Sequence, residues 1–235
     1  MMQIIRAGDR YFSDAGWLQS CWLFSFADYY DPANLRFGAL RVFNDDVIAA
    51  QSGFPTHPHR EMEIITVVMD GAITHADSMG NRTTVGEGDV QRMSAGTGVA
   101  HSEFNLADKP VHLYQIWMVP DVARLPPSYD QKHFAPEQWK NRLFPIASGQ
   151  GLPDTVTFHT DATIYRSELN AGHKIDFVST RERGIFIYLH HGRLAVNGQE
   201  ILTNDQLRIG GAGPLHLEAV ETTELILIDS PVSKA

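Results

Sequence analysis

Between residues 51 and 120 the sequence repeats one device: a short β-prone run closed by a turn containing glycine or asparagine. Strand signals fall at 62–69, 72–76, 83–85, 89–93, 99–104 and 111–119. Between them stand Asp70-Gly71, Met79-Gly80-Asn81 and Gly86-Glu87-Gly88-Asp89, each suited to a tight hairpin. Short, evenly spaced strands of this kind predict an all-β chain built as an antiparallel sandwich or barrel, where closure also removes exposed edges. The pattern returns, weakened, over 141–235: 185–194 echoes 65–73, 203–209 echoes 86–93, and His216-Leu217-Glu218 echoes His101-Ser102-Glu103. An internal repeat of this size predicts two similar barrels in tandem.

The segments outside the repeat are less regular. Pro120, Pro126, Pro127 and Pro136 break the pattern over 120–140, so no strand of normal length is expected there. Residues 135–140 suit one helical turn with Pro136 at its first position. The stretch reads as a connection between an N-terminal domain, 1–134, and a C-terminal domain, 135–235. Near the start, 37–43 reads as a strand closed by Asn44-Asp45-Asp46 as a turn. Trp17, Trp22, Phe24, Phe26, Tyr29 and Tyr30 form a dense aromatic run, expected first as core wall.

Bulk properties exclude several classes. A chain of 235 residues with 43% hydrophobic content can bury a sizeable core. A net charge of −9 argues against a nucleic-acid-binding surface. No apolar run approaches the ~18 residues of a membrane span, and Arg6, Asp9, Arg10 and Asp14 interrupt any signal-like segment. The single cysteine, Cys21, rules out an intrachain disulfide and fits a small hydrophobe in a reducing compartment. A soluble, cytoplasmic protein is expected.

Two pairs of residues point to chemistry. In a strand, residues i and i+2 share a face. His57-Pro58-His59 therefore places two imidazoles on one face, and His101-Ser102-Glu103 places an imidazole and a carboxylate on another. If those faces meet inside one barrel, three neutral nitrogens and one anionic oxygen converge. Such a set suits one divalent transition metal, whether Fe, Ni, Cu, Mn, Zn or Co, with about two positions left open on a six-coordinate ion. Glu63 and Asn105 follow the two pairs. Aligning the turns at Gly71 and Gly192 sets Val178 and Thr180 where His57 and His59 stand, so no metal is expected in the second barrel.

The spacing His57-x-His59-x3-Glu63, with Gly96 before His101-x3-Asn105, resembles the cupin superfamily. A narrower set resembles the pirin family: Phe24-Ser25-Phe26-Ala27, Tyr29-Tyr30-Asp31-Pro32, Leu40-Arg41-Val42 with Asn44-Asp45-Asp46, Pro55-x-His57-Pro58-His59, Asp77-Ser78-x-Gly80, Ser94-Ala95-Gly96-x-Gly98 and His101-Ser102-Glu103. The resemblance is dense over about 15–118. It implies a bicupin fold of two jelly-roll barrels with one mononuclear metal in the first, held by His57, His59, His101 and Glu103. Glu63 would then be structural or support the ligands. It also implies a quercetin 2,3-dioxygenase-like activity, in which O2 opens a flavonol with loss of carbon monoxide. Glu103 would take the flavonol hydroxyl proton, and some of the N-terminal aromatics would line the mouth. The implied partners are a flat aromatic small molecule and O2. The resemblance carries a rival reading, a non-catalytic metal- or redox-responsive regulator that binds a protein partner.

Overall fold

The computed structural model describes residues 2–211 and 213–232. Among them, helix is confined to two 3-10 turns, Ala7–Asp9 and Pro136–Gln138, and the second has its proline at the start as expected. The strands form four sheets, antiparallel except where Phe144–Ser148 runs beside Val156–Thr157. In each half a seven-stranded sheet faces a four-stranded one, giving two jelly-roll domains in tandem. The expected strands over 62–119 are all present, within a residue or so of their predicted ends.

Alternation of side chains explains how the halves join. Strand Glu63–Asp70 sends Ile64, Thr66 and Val68 into the N-terminal barrel and Ile65, Val67 and Met69 out of its far face. Strand Val111–Met118 divides the same way, with Leu113, Gln115 and Trp117 inward and Tyr114, Ile116 and Met118 outward. In the other half, Arg183–His191 turns Ile185, Ile187 and Leu189 inward and Phe186 and Tyr188 outward. The outward rows of both large sheets merge into one buried core. Phe43 sits at its middle, with ring centroids 5.1 Å from Tyr114, 5.3 Å from Phe186 and 5.0 Å from Tyr188. Central strands buried on both faces must be apolar on both, which is why 64–69 and 185–189 read as nearly unbroken hydrophobic runs.

The barrel interiors differ. That of the C-terminal half is apolar, filled by residues such as Leu169, Ile187, Leu194, Val196, Leu207 and Leu217. That of the N-terminal half has one apolar cluster around Ile48, Val68 and Leu113 and another around Ile64, Met93 and Val99. Thr66, His75, Gln91, His101, Glu103 and Gln115 are buried as well, in the same half. Polar groups withdrawn from water must be paired or given another function.

Two local expectations are corrected, and two further features are placed. Asn44-Asp45-Asp46 does not close a strand; Leu40–Ile48 runs straight through it. Asn44 and Asp46 face the barrel interior, while Asp45 faces the domain interface, where His112, Tyr188 and Arg10 donate to it. Residues 120–140 do contain a strand, Ser128–His133, which pairs with Asp89–Ser94 at the sheet edge and needs no apolar face there. His216 and Glu218 do not occupy the places of His101 and Glu103. They lie one residue out of phase, facing solvent beside Asp176 and Lys174, while Leu215 and Leu217 fill the interior. Finally, Met2–Ile5 pairs with Gln206–Gly210 and so extends the sheet of the C-terminal half.

The shared core makes a stability prediction. Phe43→Ala should cost about 3–5 kcal/mol, the usual range for an aromatic lost from a core. Urea unfolding followed by both tryptophan fluorescence and circular dichroism should still show one transition, shifted to lower urea. Two separated transitions, with one half unchanged, would contradict a core common to both halves.

Candidate metal centre

Strand Ser52–His59 pairs with Val99–Asn105, which sets His57 directly opposite His101 and His59 opposite Val99. The register then slips between His101 and Glu103, so that Phe54 stands opposite Glu103. Gly53 allows this close approach, since a Cβ there would lie 2.2 Å from the Glu103 carbonyl oxygen. The rings of His57, His59 and His101 cluster, with centroids 4.5–4.9 Å apart. Each offers a ligand atom within 4.8 Å of the other two. The structure thus brings together the three histidines singled out from sequence.

Glu103 falls in an overlapping group with His101 and His75, again within 4.8 Å. Gln115 Nε2 donates to its Oε2 at 2.9 Å, and Thr66 Oγ1 lies 3.4 Å from its Oε1. Burial pushes the Glu103 carboxyl up to about 7, although hydrogen bonds from Thr66, Gln115 and Gln91 pull it down. Burial also lowers His59 to about 4 and His101 to about 2, in each case assisted by neighbouring imidazoles. Neutral imidazoles are the form a metal requires.

The remaining ring nitrogens define which atoms are available. His57 Nδ1 donates to the Pro55 carbonyl at 2.8 Å, leaving Nε2 as a lone pair. His101 Nε2 is buried and has no hydrogen-bond partner. A buried, unpartnered nitrogen among three clustered imidazoles forms a donor set that a divalent metal fits.

The other sequence candidates take structural places. Glu63 lies on the outward row of its strand, where it accepts from Ser94 Oγ at 2.7 Å and from the His159 backbone at 3.2 Å. Asn105 donates to the carbonyls of Ile48, Ala49 and Lys109, tying down the loop after its strand. Cys21 is half-buried against the shared core, and burial pushes its thiol up.

Above the histidines lies a cavity of about 170 Å³. Trp22, Phe26, Phe54 and Trp117 supply its aromatic walls, and Ser20, Asn44, Asp46 and Gln115 a polar side. Trp22, Phe26, Trp117 and His59 form a chain of edge-to-face contacts, with centroids 4.9–5.4 Å apart. Ser20 Oγ donates to Asp46. Sequence reading missed Asn44, Asp46, His75 and Gln115. A signal was present for the first two, since Asn44-x-Asp46 is another polar i, i+2 pair inside an apolar stretch.

Comparison with known proteins agrees with this geometry. Residues 5–118 match the Pirin family model, and residues 145–230 match the model of the quercetinase C-terminal cupin domain. The chain is 39% identical over 232 residues to a quercetin 2,3-dioxygenase of Escherichia coli K12, covering 98% of this chain and 99% of that protein. It is 40% identical to a pirin-like protein of Caulobacter vibrioides, covering 93% and 94%. The crystal structure of the bacterial pirin YhhW of Escherichia coli in complex with nickel(II) matches with a TM-score of 0.94 and 38% identity, over 99% of this chain and 100% of that one. On sequence, fold and site together, the chain belongs to the pirin family.

Proposed function

We propose that this protein is a metal-dependent oxygenase that opens flavonols such as quercetin with O2, with one divalent transition metal held by His57, His59, His101 and Glu103. One observation carries the reading: the clustered imidazoles border an aromatic-walled cavity rather than a sealed core. The quercetin 2,3-dioxygenase name of the Escherichia coli relative and the nickel(II) complex of YhhW support it. Imidazole and carboxylate ligands admit Fe, Ni, Cu, Mn, Zn or Co.

When bound, the ion supplies a Lewis acid that offsets charge on the flavonol 3-oxygen. The protein's own groups do the rest. Glu103, the one carboxylate of the set, accepts the 3-hydroxyl proton. Trp22, Phe26, Phe54 and Trp117 hold a flat ring system and exclude water from it. Asp46, held by Ser20, offers an acceptor to a phenolic hydroxyl on the polar side.

The reading is tested by metal analysis of freshly purified protein together with oxygen uptake on quercetin. Metal-loaded protein inert toward flavonols would give the weight to the protein-binding role. His57→Ala should lose most of its bound metal and its oxygen uptake, while an unchanged metal content would remove His57 from the ligand set.

Glu103→Gln keeps shape but removes the charge and the base. At matched metal content its flavonol-dependent oxygen uptake should fall about 100-fold or more. Full activity at full metal loading would exclude Glu103 as the base.

Asp46 gives a pH prediction. Burial, with Asp45 and Glu103 nearby, raises its carboxyl to about 7, against the Ser20 hydrogen bond. In the unfolded chain it titrates near ~3.9. Between those values the folded protein holds the extra proton on Asp46, so the contribution of Asp46 to stability falls as pH rises from about 4 to 7. Asp46→Asn cannot titrate. In metal-free protein its stability relative to wild type should therefore grow by up to about 4 kcal/mol across that window. Urea denaturation at pH 4.5 and 7.5 measures this, and a difference independent of pH would refute the shift.

A further inference from the structure

Strand Ala72–Asp77 lies on the other side of Val99–Asn105, with Asp77 opposite His101 and His75 opposite Glu103. Neither His75 nor Asp77 has been given a role so far, although Asp77-Ser78-x-Gly80 is among the family motifs. Both side chains are fully buried. The His75 ring lies over Tyr129, with centroids 4.9 Å apart.

Four donors converge on the Asp77 carboxyl. The Met79 and Asn81 backbone N–H groups reach Oδ1 at 2.9 and 3.1 Å, and Asn81 Nδ2 and His75 Nε2 reach Oδ2 at 2.9 and 3.0 Å. Burial pushes this carboxyl up, yet the hydrogen bonds from His75 and Asn81 outweigh it and hold it below its ordinary range. A carboxylate accepts and cannot donate. In its neutral form His75 must then carry its proton on Nε2, which leaves Nδ1 as a lone pair. That Nδ1 lies 3.4 Å from His101 Nδ1. Two lone pairs do not face one another at that distance, so the proton between them belongs to His101 Nδ1. The His101 lone pair is therefore on Nε2, the atom that is buried without a partner.

We infer that Asp77 and His75 form a relay that fixes the tautomer of His101 and aims its Nε2 lone pair at the metal. The inference rests on the proposed role of His101 as a ligand. His75 and Asp77 are positioning residues, one and two hydrogen bonds removed from the ion. The Pro55 carbonyl does the same for His57. Partners of this kind orient the ring and raise its basicity.

Three variants separate the relay from simple packing. His75→Leu removes both hydrogen bonds and should weaken nickel(II) binding about 10–100-fold in a chelator competition titration. His75→Asn places an acceptor oxygen at the branch position of Nδ1 and should retain most of that affinity. His75→Gln, which reaches Asp77 but leaves the Nδ1 position without an acceptor, should behave like His75→Leu. Equal losses in the Asn and Leu variants, or no loss in either, would overturn the relay.

A measurement on the wild-type protein needs no variant and no metal. Long-range 1H–15N correlation spectra of the metal-free protein at pH 7.5 should show His101 protonated on Nδ1 and His75 on Nε2. The opposite tautomer of either ring overturns the inference. Failure of the wild type to bind nickel(II) would instead strike the ligand assignment, and the spectra would still decide the relay.

Discussion

The face-to-face packing of the two seven-stranded sheets is the constraint on which the rest depends. It buries the second face of the central strands, so both halves lean on one core centred near Phe43, Tyr114, Phe186 and Tyr188. A lone barrel needs an apolar interior to stand. Once the outer faces supply apolar burial, the interior of one barrel can carry polar residues. The C-terminal half keeps its hydrophobic filling and serves as the buttress. The N-terminal half gives part of its interior to histidines, amides and carboxyls.

That polar interior is ordered by hydrogen bonds rather than by ion pairs alone. Gln115 and Thr66 hold Glu103, Ser20 holds Asp46, and Pro55 and His75 hold two of the imidazoles. Removing one partner of such a network leaves another group buried and unpaired, which costs more than the bond itself contributes. The site and the stability of the barrel are therefore coupled through the same side chains.

Much of this was legible in the sequence, for a physical reason. Strands buried on both faces, such as Glu63–Asp70, have a hydrophobic signal that survives without an alignment, and glycine turns mark their ends. The two i, i+2 pairs located the histidine cluster because strand geometry converts spacing into a shared face. Reading failed where a strand carries function. Asn44-Asp45-Asp46 has turn composition, yet it is the middle of a strand whose polar residues serve the cavity on one face and the interface on the other. His75 was invisible for a related reason: its role depends on two neighbouring strands and a turn that fixes Asp77. The echo at His216 and Glu218 repeats composition without phase, and a slip of one residue exchanges inside for outside, so both face solvent.

Met2–Ile5 bears on how the molecule avoids sticking to itself. These four residues cover the open side of Gln206–Gly210, a strand whose other side already pairs with Arg183–His191. Without them, a row of backbone donors and acceptors on a largely buried strand would face solvent, the geometry that templates intermolecular sheet growth. Met2–Ile5 thus cap the edge of the large sheet in the C-terminal half. A C-terminal half produced alone would bear two adhesive surfaces, that bare edge and the uncovered outer face of its large sheet. Aggregation, rather than simple loss of folding, is the fate this architecture sets for the separated half.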